Sequence, residues 1–157
     1  MKHKLITLNR NITKIPIISI TNSSPSLVKG ENGTLTPQTV NFDGTSTQVE
    51  PSGYLFTVKD RRLFSSFQGT GIGSANTTQQ SPYSSAVAVS ETVIGTEVSF
   101  TAISTDTLFG VNNKLITTLT IEGRDTGARA TVAITINKNI SVESQYQVGA
   151  IGVEARQ

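Results

Sequence analysis

The sequence predicts an all-β protein, an antiparallel β-sandwich with extended N- and C-terminal arms. Apolar residues alternate with polar ones along most of the 157-residue chain and hardly anywhere recur at helical spacing, which is the pattern of half-buried strands. Forty residues are Ser or Thr, and charged residues make up only 15% of the chain. Because this composition disfavours both helices and charge-rich disorder, short strands joined by polar turns are expected.

The first 30 residues are predicted to form a basic N-terminal arm. The arm contains no acidic residue and five basic ones, namely Lys2, Lys4, Arg10, Lys14 and Lys29. Two strand-like stretches, residues 4–8 and 15–21, lie within it. Such an arm is either a solvated terminus or an assembly device that lies on the acidic surface of a neighbour. It has no cluster of arginines and no aromatic residue to stack on bases, which disfavours nucleic acid as the partner.

Residues 31–138 are predicted to be the sandwich body, and its first half begins with two hairpin signals. Asn32-Gly33 and Asp43-Gly44 are dipeptides typical of tight type I′ turns. Tyr54–Val58 follows as a strand whose alternate residues share one face. From residue 65 to residue 85 the periodicity fades, so we predict a long loop, either exposed or ordered only by a partner.

The second half of the body has the clearest strand patterns, predicted at residues 86–89, 97–103, 114–121 and 128–136. The last two strands are joined by a short Gly-containing loop and are expected to form a hairpin. Alternation places Phe100, Leu119, Val132 and Ile134 in the core, and Thr131 and Thr135 in solvent. Residues 139–157 alternate less regularly and form either a final strand or a C-terminal arm.

The strand at residues 127–136 reads Gly-Ala-Arg-Ala-Thr-Val-Ala-Ile-Thr-Ile. With the hairpin before it, this strand resembles the closing strands of immunoglobulin-like modules in bacteriophage virion proteins and bacterial surface proteins. The chain contains no cysteine and no tryptophan, so the resemblance does not extend to antibody-type domains. The resemblance implies an Ig-like sandwich that serves as a binding or structural module and carries no catalytic residue.

No catalytic, cofactor or metal site is predicted. His3 is the only histidine, on an arm where no buried carboxylate orients it, and the lack of cysteine excludes a thiol nucleophile and a Cys-ligated zinc site. The Gly-rich residues 69–73 lack the Lys-Ser/Thr of a phosphate-binding loop. The acids that an enzyme would have to use are isolated and suggest no catalytic pair: Asp60, Asp106, and Glu122 with Asp125, which are the closest two and lie at a predicted hairpin tip.

Lys59-Asp60-Arg61-Arg62 is the one local basic cluster of the body. It is either a solvated turn or a contact that pairs with acids on a neighbour. Taken with the arm, the predicted assembly contacts are Lys2, Lys4, Arg10, Lys14, Lys59, Arg61 and Arg62.

These features predict a non-enzymatic structural component of a virus particle, the capsid, neck or tail of a bacteriophage. Its partners are expected to be copies of itself or larger virion proteins, with arms that add strands to neighbouring sheets. No signal-peptide pattern or long apolar run occurs, so we expect synthesis in the host cytoplasm and no membrane contact. The alternative is a bacterial surface adhesin or carbohydrate-binding module, which the missing export signal and tryptophan disfavour.

Overall fold

A computed structural model describes residues 16–21, 25–41, 43–76 and 85–139, and these residues form an all-β fold. The strand bounds are Ile17–Ile20 (β1), Ser26–Val28 (β2), Asn32–Leu35 (β3), Pro37–Val40 (β4), Thr47–Gln48 (β5), Tyr54–Val58 (β6), Phe64–Thr70 (β7), Glu91–Gly95 (β8), Glu97–Ala102 (β9), Lys114–Gly123 (β10) and Arg129–Asn137 (β11). These strands lie in three sheets with the orders β2-β11-β10-β6-β8, β3-β9-β7 and β1-β4-β5.

The five-stranded sheet and the sheet β3-β9-β7 pack face to face around one hydrophobic core. The predicted core residues Phe100, Leu119, Val132 and Ile134 are each at most 2% exposed, as predicted. The ring of Phe100 meets that of Phe64 edge to face, with centroids 5.4 Å apart, an arrangement that aromatic pairs prefer. The predicted all-β antiparallel sandwich is thereby confirmed, with the parallel pairing of β2 and β11 as an addition.

The β10–β11 hairpin is the longest pairing of the fold. Its register runs from Lys114 opposite Asn137 to Glu122 opposite Arg129, as strict alternation on both strands predicts. Gly127 closes the loop with a φ of +79°, a conformation that side-chain-bearing residues rarely adopt.

The predicted loop at residues 65–85 is wrong over its first six residues, which belong to β7. The pairing with β9 shifts register between Phe64 and Ser66, and this irregularity lets Phe64 and Phe67 both point into the core. Because the inward residues Phe64 and Phe67 are three positions apart, β7 does not show the period of two by which a strand is predicted from sequence. The strand predicted at residues 86–89 is also wrong, because these residues form no strand and β8 begins only at Glu91.

The turn predicted at Asn32-Gly33 is wrong, since both residues lie within β3. The chain turns instead at Lys29 and Gly30, where Gly30 has a φ of +80°. Gly33 is required for packing: a Cβ there would lie 2.6 Å from Cε1 of Phe100. A turn at Asp43-Gly44 is confirmed, with Gly44 at a φ of +76° between β4 and β5, but it is not the predicted type I′, because Asp43 does not have a positive φ.

Two strands lie inside the range 1–30 that was predicted to be an arm. β1 pairs with β4, and β2 pairs in parallel with β11 of the same chain. Residues 1–15 and 140–157, which carry most of the two predicted arms, lie outside the described residues. Within the described ranges, no helix is long and apolar enough to cross a membrane.

Replacing Gly33 by alanine is expected to lower the free energy of unfolding by about 1–3 kcal/mol, because the new methyl group overpacks the core against Phe100. Urea denaturation of the two proteins measures this difference. The double variant Gly33→Ala/Phe100→Leu should show a favourable coupling energy, since a leucine side chain leaves room for the methyl. Strict additivity of the two changes would contradict this contact.

Candidate interaction surface

Two of the three basic residues in the predicted cluster at residues 59–62 bind groups of the same chain. Arg61 is buried, and its Nε lies 3.2 Å from Oε1 of the buried Glu91, without hydrogen-bond geometry. A second guanidinium nitrogen of Arg61 donates to the carbonyl oxygen of Phe64. Breaking such a buried pair leaves an uncompensated charge. Arg61 therefore stabilises the interior of the fold, and its guanidinium is not exposed for contact with a neighbour.

Arg62 is held by its own turn. Its Nε and one terminal nitrogen donate to the two carboxylate oxygens of Asp60 at 2.9 Å each. These hydrogen bonds from Arg62 to Asp60 raise the pKa of the guanidinium above its ordinary value. Lys59 remains exposed, and its ammonium group has no partner among the residues the structure describes. Lys2, Lys4, Arg10 and Lys14 lie outside those residues.

The acids considered for catalysis are dispersed over different turns. Asp125 accepts hydrogen bonds of 2.8 Å from the backbone N–H and the hydroxyl of Ser52, and these bonds lower its pKa. Asp106 accepts a hydrogen bond from the ammonium of Lys29, which lowers its pKa. Glu122 pairs with Arg129 across the hairpin at 3.1 Å, and Asp60 is bound by Arg62 as above. His3 lies outside the described residues.

Glu50 is the most strongly engaged carboxylate, and its side chain is only 1% exposed. It accepts hydrogen bonds from the hydroxyls of Thr39, at 2.7 Å, and Thr126, at 2.5 Å. It also accepts hydrogen bonds from the backbone N–H groups of Asp125 and Thr126, at 2.8 and 3.1 Å. A Cβ at Gly123 would collide with this carboxylate. Glu50 therefore ties the β10–β11 loop to β4 from the turn that precedes β6.

The pKa of Glu50 reflects two opposing effects. Burial raises it, but the hydrogen bonds from Thr126, Thr39 and the two backbone N–H groups together outweigh burial and lower it. A carboxylate that is ionised and satisfied by four donors serves as a structural anchor. Sequence reasoning missed Glu50, because only the Pro51-Ser52-Gly53 turn signal stands beside it.

The outer face of the five-stranded sheet is the most distinctive exposed surface. We define it by the solvent-facing residues of four adjacent strands and by the residue that follows β6: Leu55 and Thr57 on β6, Lys59 directly after it, Thr92 and Ile94 on β8, Lys114, Ile116, Thr118, Thr120 and Glu122 on β10, and Arg129, Thr131, Ala133 and Thr135 on β11. Its charged members are Lys59, Lys114, Glu122 and Arg129, which lie above or below the middle of the face.

Four threonines form a row straight across the middle of this outer face. Thr131 is opposite Thr120, Thr120 opposite Thr57, and Thr57 opposite Thr92 in the register of the four strands. The hydroxyls of Thr57 and Thr92 are 2.8 Å apart and form a hydrogen bond. Neighbouring members are about 4.8 Å apart, the spacing of strands in a sheet. This threonine row presents hydroxyls and methyls and no charge.

A shallow groove of about 290 Å³ lies on the Lys59 side of the threonine row. Its apolar wall includes Ile116, which is 59% exposed. Its lining residues are Lys59, Asp60, Ala88, Ile116, Thr117 and Thr118. No group of three or more His, Asp or Glu side chains that could hold a metal ion occurs within the described ranges. The outer face can thus dock a flat partner, by hydroxyl pairing and apolar contact.

Comparisons with known proteins add little to this picture. No protein-family model matches the chain, and no curated protein matches it either. Among solved structures, the N-terminal domain of the Streptococcus gordonii adhesin Sgo0707 is similar with a TM-score of 0.37 and 11% identity, over 82% of this chain and 33% of that one. The chain thus spans about a third of the length of that adhesin domain, and similarity at this level carries no argument about function.

Proposed function

We propose that this chain is a non-enzymatic structural component of a bacteriophage particle and that it acts by assembling with copies of itself or with larger virion proteins. In this proposal it is made in the host cytoplasm and becomes part of the capsid, neck or tail. The immunoglobulin-like character inferred from residues 127–136 fits a module of this kind.

The observation that carries the proposal is the uncharged middle of the outer face. Solvent-facing positions of an antiparallel sheet are usually polar, and at the centre of this face the polar residues are uncharged threonines. Here a row of threonines crosses four strands with Leu55 and Ile94 beside it, and the charges lie outside the row. An apolar or neutral centre with charges near the rim is the anatomy of protein–protein interfaces.

The use of the carboxylates inside the fold supports the same proposal. Every Asp and Glu of the described residues has a hydrogen-bond or ion-pair partner in the chain. A catalytic pair requires two titratable groups that converge on a substrate. The partners found here instead fix turns and strand ends, as a rigid assembly module needs.

Quantitative mass spectrometry of purified particles and of the host's surface fraction tests the proposed function. The proposal predicts that peptides of this chain co-purify with particles at a fixed ratio to the major virion proteins. Enrichment in the host surface fraction would contradict it and favour the adhesin or carbohydrate-binding alternative.

The N-terminal segment provides a further prediction. Deleting residues 1–15 removes Lys2, Lys4, Arg10 and Lys14 but leaves β1 intact. We expect the shortened chain to keep its β-type circular dichroism and to lose incorporation into particles, because the basic segment contacts a neighbour. The matched control replaces those four residues by glutamine in the full-length chain and separates the loss of charge from the loss of backbone. Unchanged incorporation of the shortened chain would contradict a role for the arm.

A further inference from the structure

We propose that the C-terminal segment of the chain, residues 140–157, binds in the shallow groove beside Ile116 on the outer face of the same molecule. The inference goes beyond the proposed function and does not rest on it, because it concerns a contact within one chain. The groove lies on the Lys59 side of the threonine row, so this contact leaves the row itself available to a partner.

The groove exists because β6 ends before its neighbour β10 does. Lys59, the residue after β6, donates its backbone N–H to the carbonyl oxygen of Thr118. Between Lys114 and Thr117, β10 has no paired strand on this side among the residues the structure describes. The N–H and C=O groups of Ile116 point to the same side as those of Thr118, because these groups alternate in direction along a strand. An extended segment can add to such an open strand edge.

Two basic side chains in and beside the groove lack an acidic partner. Lys59 lines the groove, and Lys114 is exposed on the same face of β10. Neither ammonium takes part in an ion pair within the described ranges. Asp60 also lines the groove, but its carboxylate is already bound by Arg62. The groove is therefore complementary to an acidic occupant.

The acids that remain to pair with these lysines lie in the C-terminal segment. The chain has 11 Asp and Glu residues, and all those within the described ranges have partners in the fold, as shown above. The other two are Glu143 and Glu154. Residues 1–15 contain four Lys and Arg residues and no acid, so the charge of the groove disfavours the N-terminal segment as its occupant.

The C-terminal segment also begins within reach of the groove. β11 ends at Asn137, which lies opposite Lys114 in the register, so the chain leaves the sheet at the end where the groove opens. The four residues from Asn139 to Glu143 span up to about 14 Å when extended, which is enough to bring Glu143 to Lys114. A segment tethered this closely has a high effective concentration at the groove, which favours the contact within one chain.

Apolar side chains of the segment match the apolar part of the groove. Ile116 is 59% exposed, and Ala88 is exposed on the opposite wall. Covering this surface favours binding. Every second residue in the middle of the segment is apolar, the spacing of one face of an extended chain: Tyr146, Val148 and Ala150.

Disulfide cross-linking of the full-length protein tests the contact, because the chain has no cysteine of its own. Ala88→Cys with Val148→Cys places one thiol in the groove and one in the segment, and oxidised glutathione serves as the oxidant. The control is Thr131→Cys with Val148→Cys, since Thr131 is exposed in the threonine row. Nine extended residues from Asn139 span about 30 Å, so Val148 can reach either position. We expect the groove pair to cross-link within one chain about tenfold faster than the control or more.

A charge exchange in the groove pair tests the contribution of Lys114. Lys114→Glu should slow the cross-link about two- to fivefold, the effect expected of one exposed ion pair. Adding Glu143→Lys to this variant should restore most of the rate. Circular dichroism verifies that each variant keeps the β fold.

Equal rates for the groove pair and the Thr131 control would overturn the inference, as would a rate that Lys114→Glu leaves unchanged. Cross-links that join two chains, visible as a dimer on a non-reducing gel, would also overturn it, because the occupant would then be the segment of another copy. None of these results bears on whether the chain co-purifies with particles, so the proposed function is tested separately.

Discussion

Replacing Glu50 by alanine should lower the free energy of unfolding by about 3–5 kcal/mol. The change leaves the hydroxyls of Thr39 and Thr126 and two backbone N–H groups without their acceptor. The buried hydroxyl of Thr39 bears the full cost of desolvation, and the donors of Asp125 and Thr126, which are partly buried, bear part of it. Urea denaturation measures the difference, provided that the m-values of the two proteins agree.

Glu97→Ala is the matched control for this substitution. Glu97 also accepts hydrogen bonds from two hydroxyls, those of Thr36 and Thr70, but at a partly exposed site. Water can replace the lost acceptor there, so the cost should stay within about 1 kcal/mol. An equal cost for the two substitutions would contradict the role of Glu50 as a buried anchor.

The stability of the fold should also fall in acid. The pKa values of Glu50, Asp106 and Asp125 are all lowered in the folded chain. A group whose folded-state pKa is lowered contributes stability above its unfolded-state pKa and loses it as the pH falls through the folded value. The loss should therefore appear below about pH 4, near and under the ordinary pKa values of these groups. Thermal melts of Glu50→Gln across this range should show a shallower dependence on pH than the wild type.

Ile134→Ala should cost about 2–5 kcal/mol, through lost burial and the cavity left behind. Ile134 is fully buried at the centre of β11 and belongs to the main core cluster. Thr135, the next residue, points to the other side of the sheet and is part of the outer face. Its replacement by alanine should change the stability by no more than about 0.5 kcal/mol. A larger loss at Thr135 than at Ile134 in chemical denaturation would reverse the assigned faces of β11.

The sequence pattern predicts the strands that alternate strictly. Tyr54–Val58, β9 and the β10–β11 hairpin all appear where the period of two places them, because each buries one face and exposes the other. β7 escapes prediction because its irregular register breaks the period. The dipeptide Asn32-Gly33 leads to a wrong turn prediction, because the glycine is needed there to leave space for the ring of Phe100 and not to form a turn.

The candidate interaction surface is not predictable from the same pattern. The threonine row depends on which strands are neighbours and on their register, and β6 pairs with β10 and β8 while β7 lies in the opposite sheet. Residues that are far apart in sequence, such as Thr57 and Thr131, come into line only once those pairings are known. For the same reason, Arg61 reads as part of a basic cluster although Glu91, thirty residues later, neutralises it inside the fold.

A cryo-electron microscopy reconstruction of the purified particle tests the central claim, that this chain works by assembly through the outer face, most directly. We expect a map in which the threonine row of each copy is buried against a neighbouring virion protein or another copy of the chain. A particle in which the outer face points to solvent and other surfaces make every contact would contradict the account, as would particles without this chain.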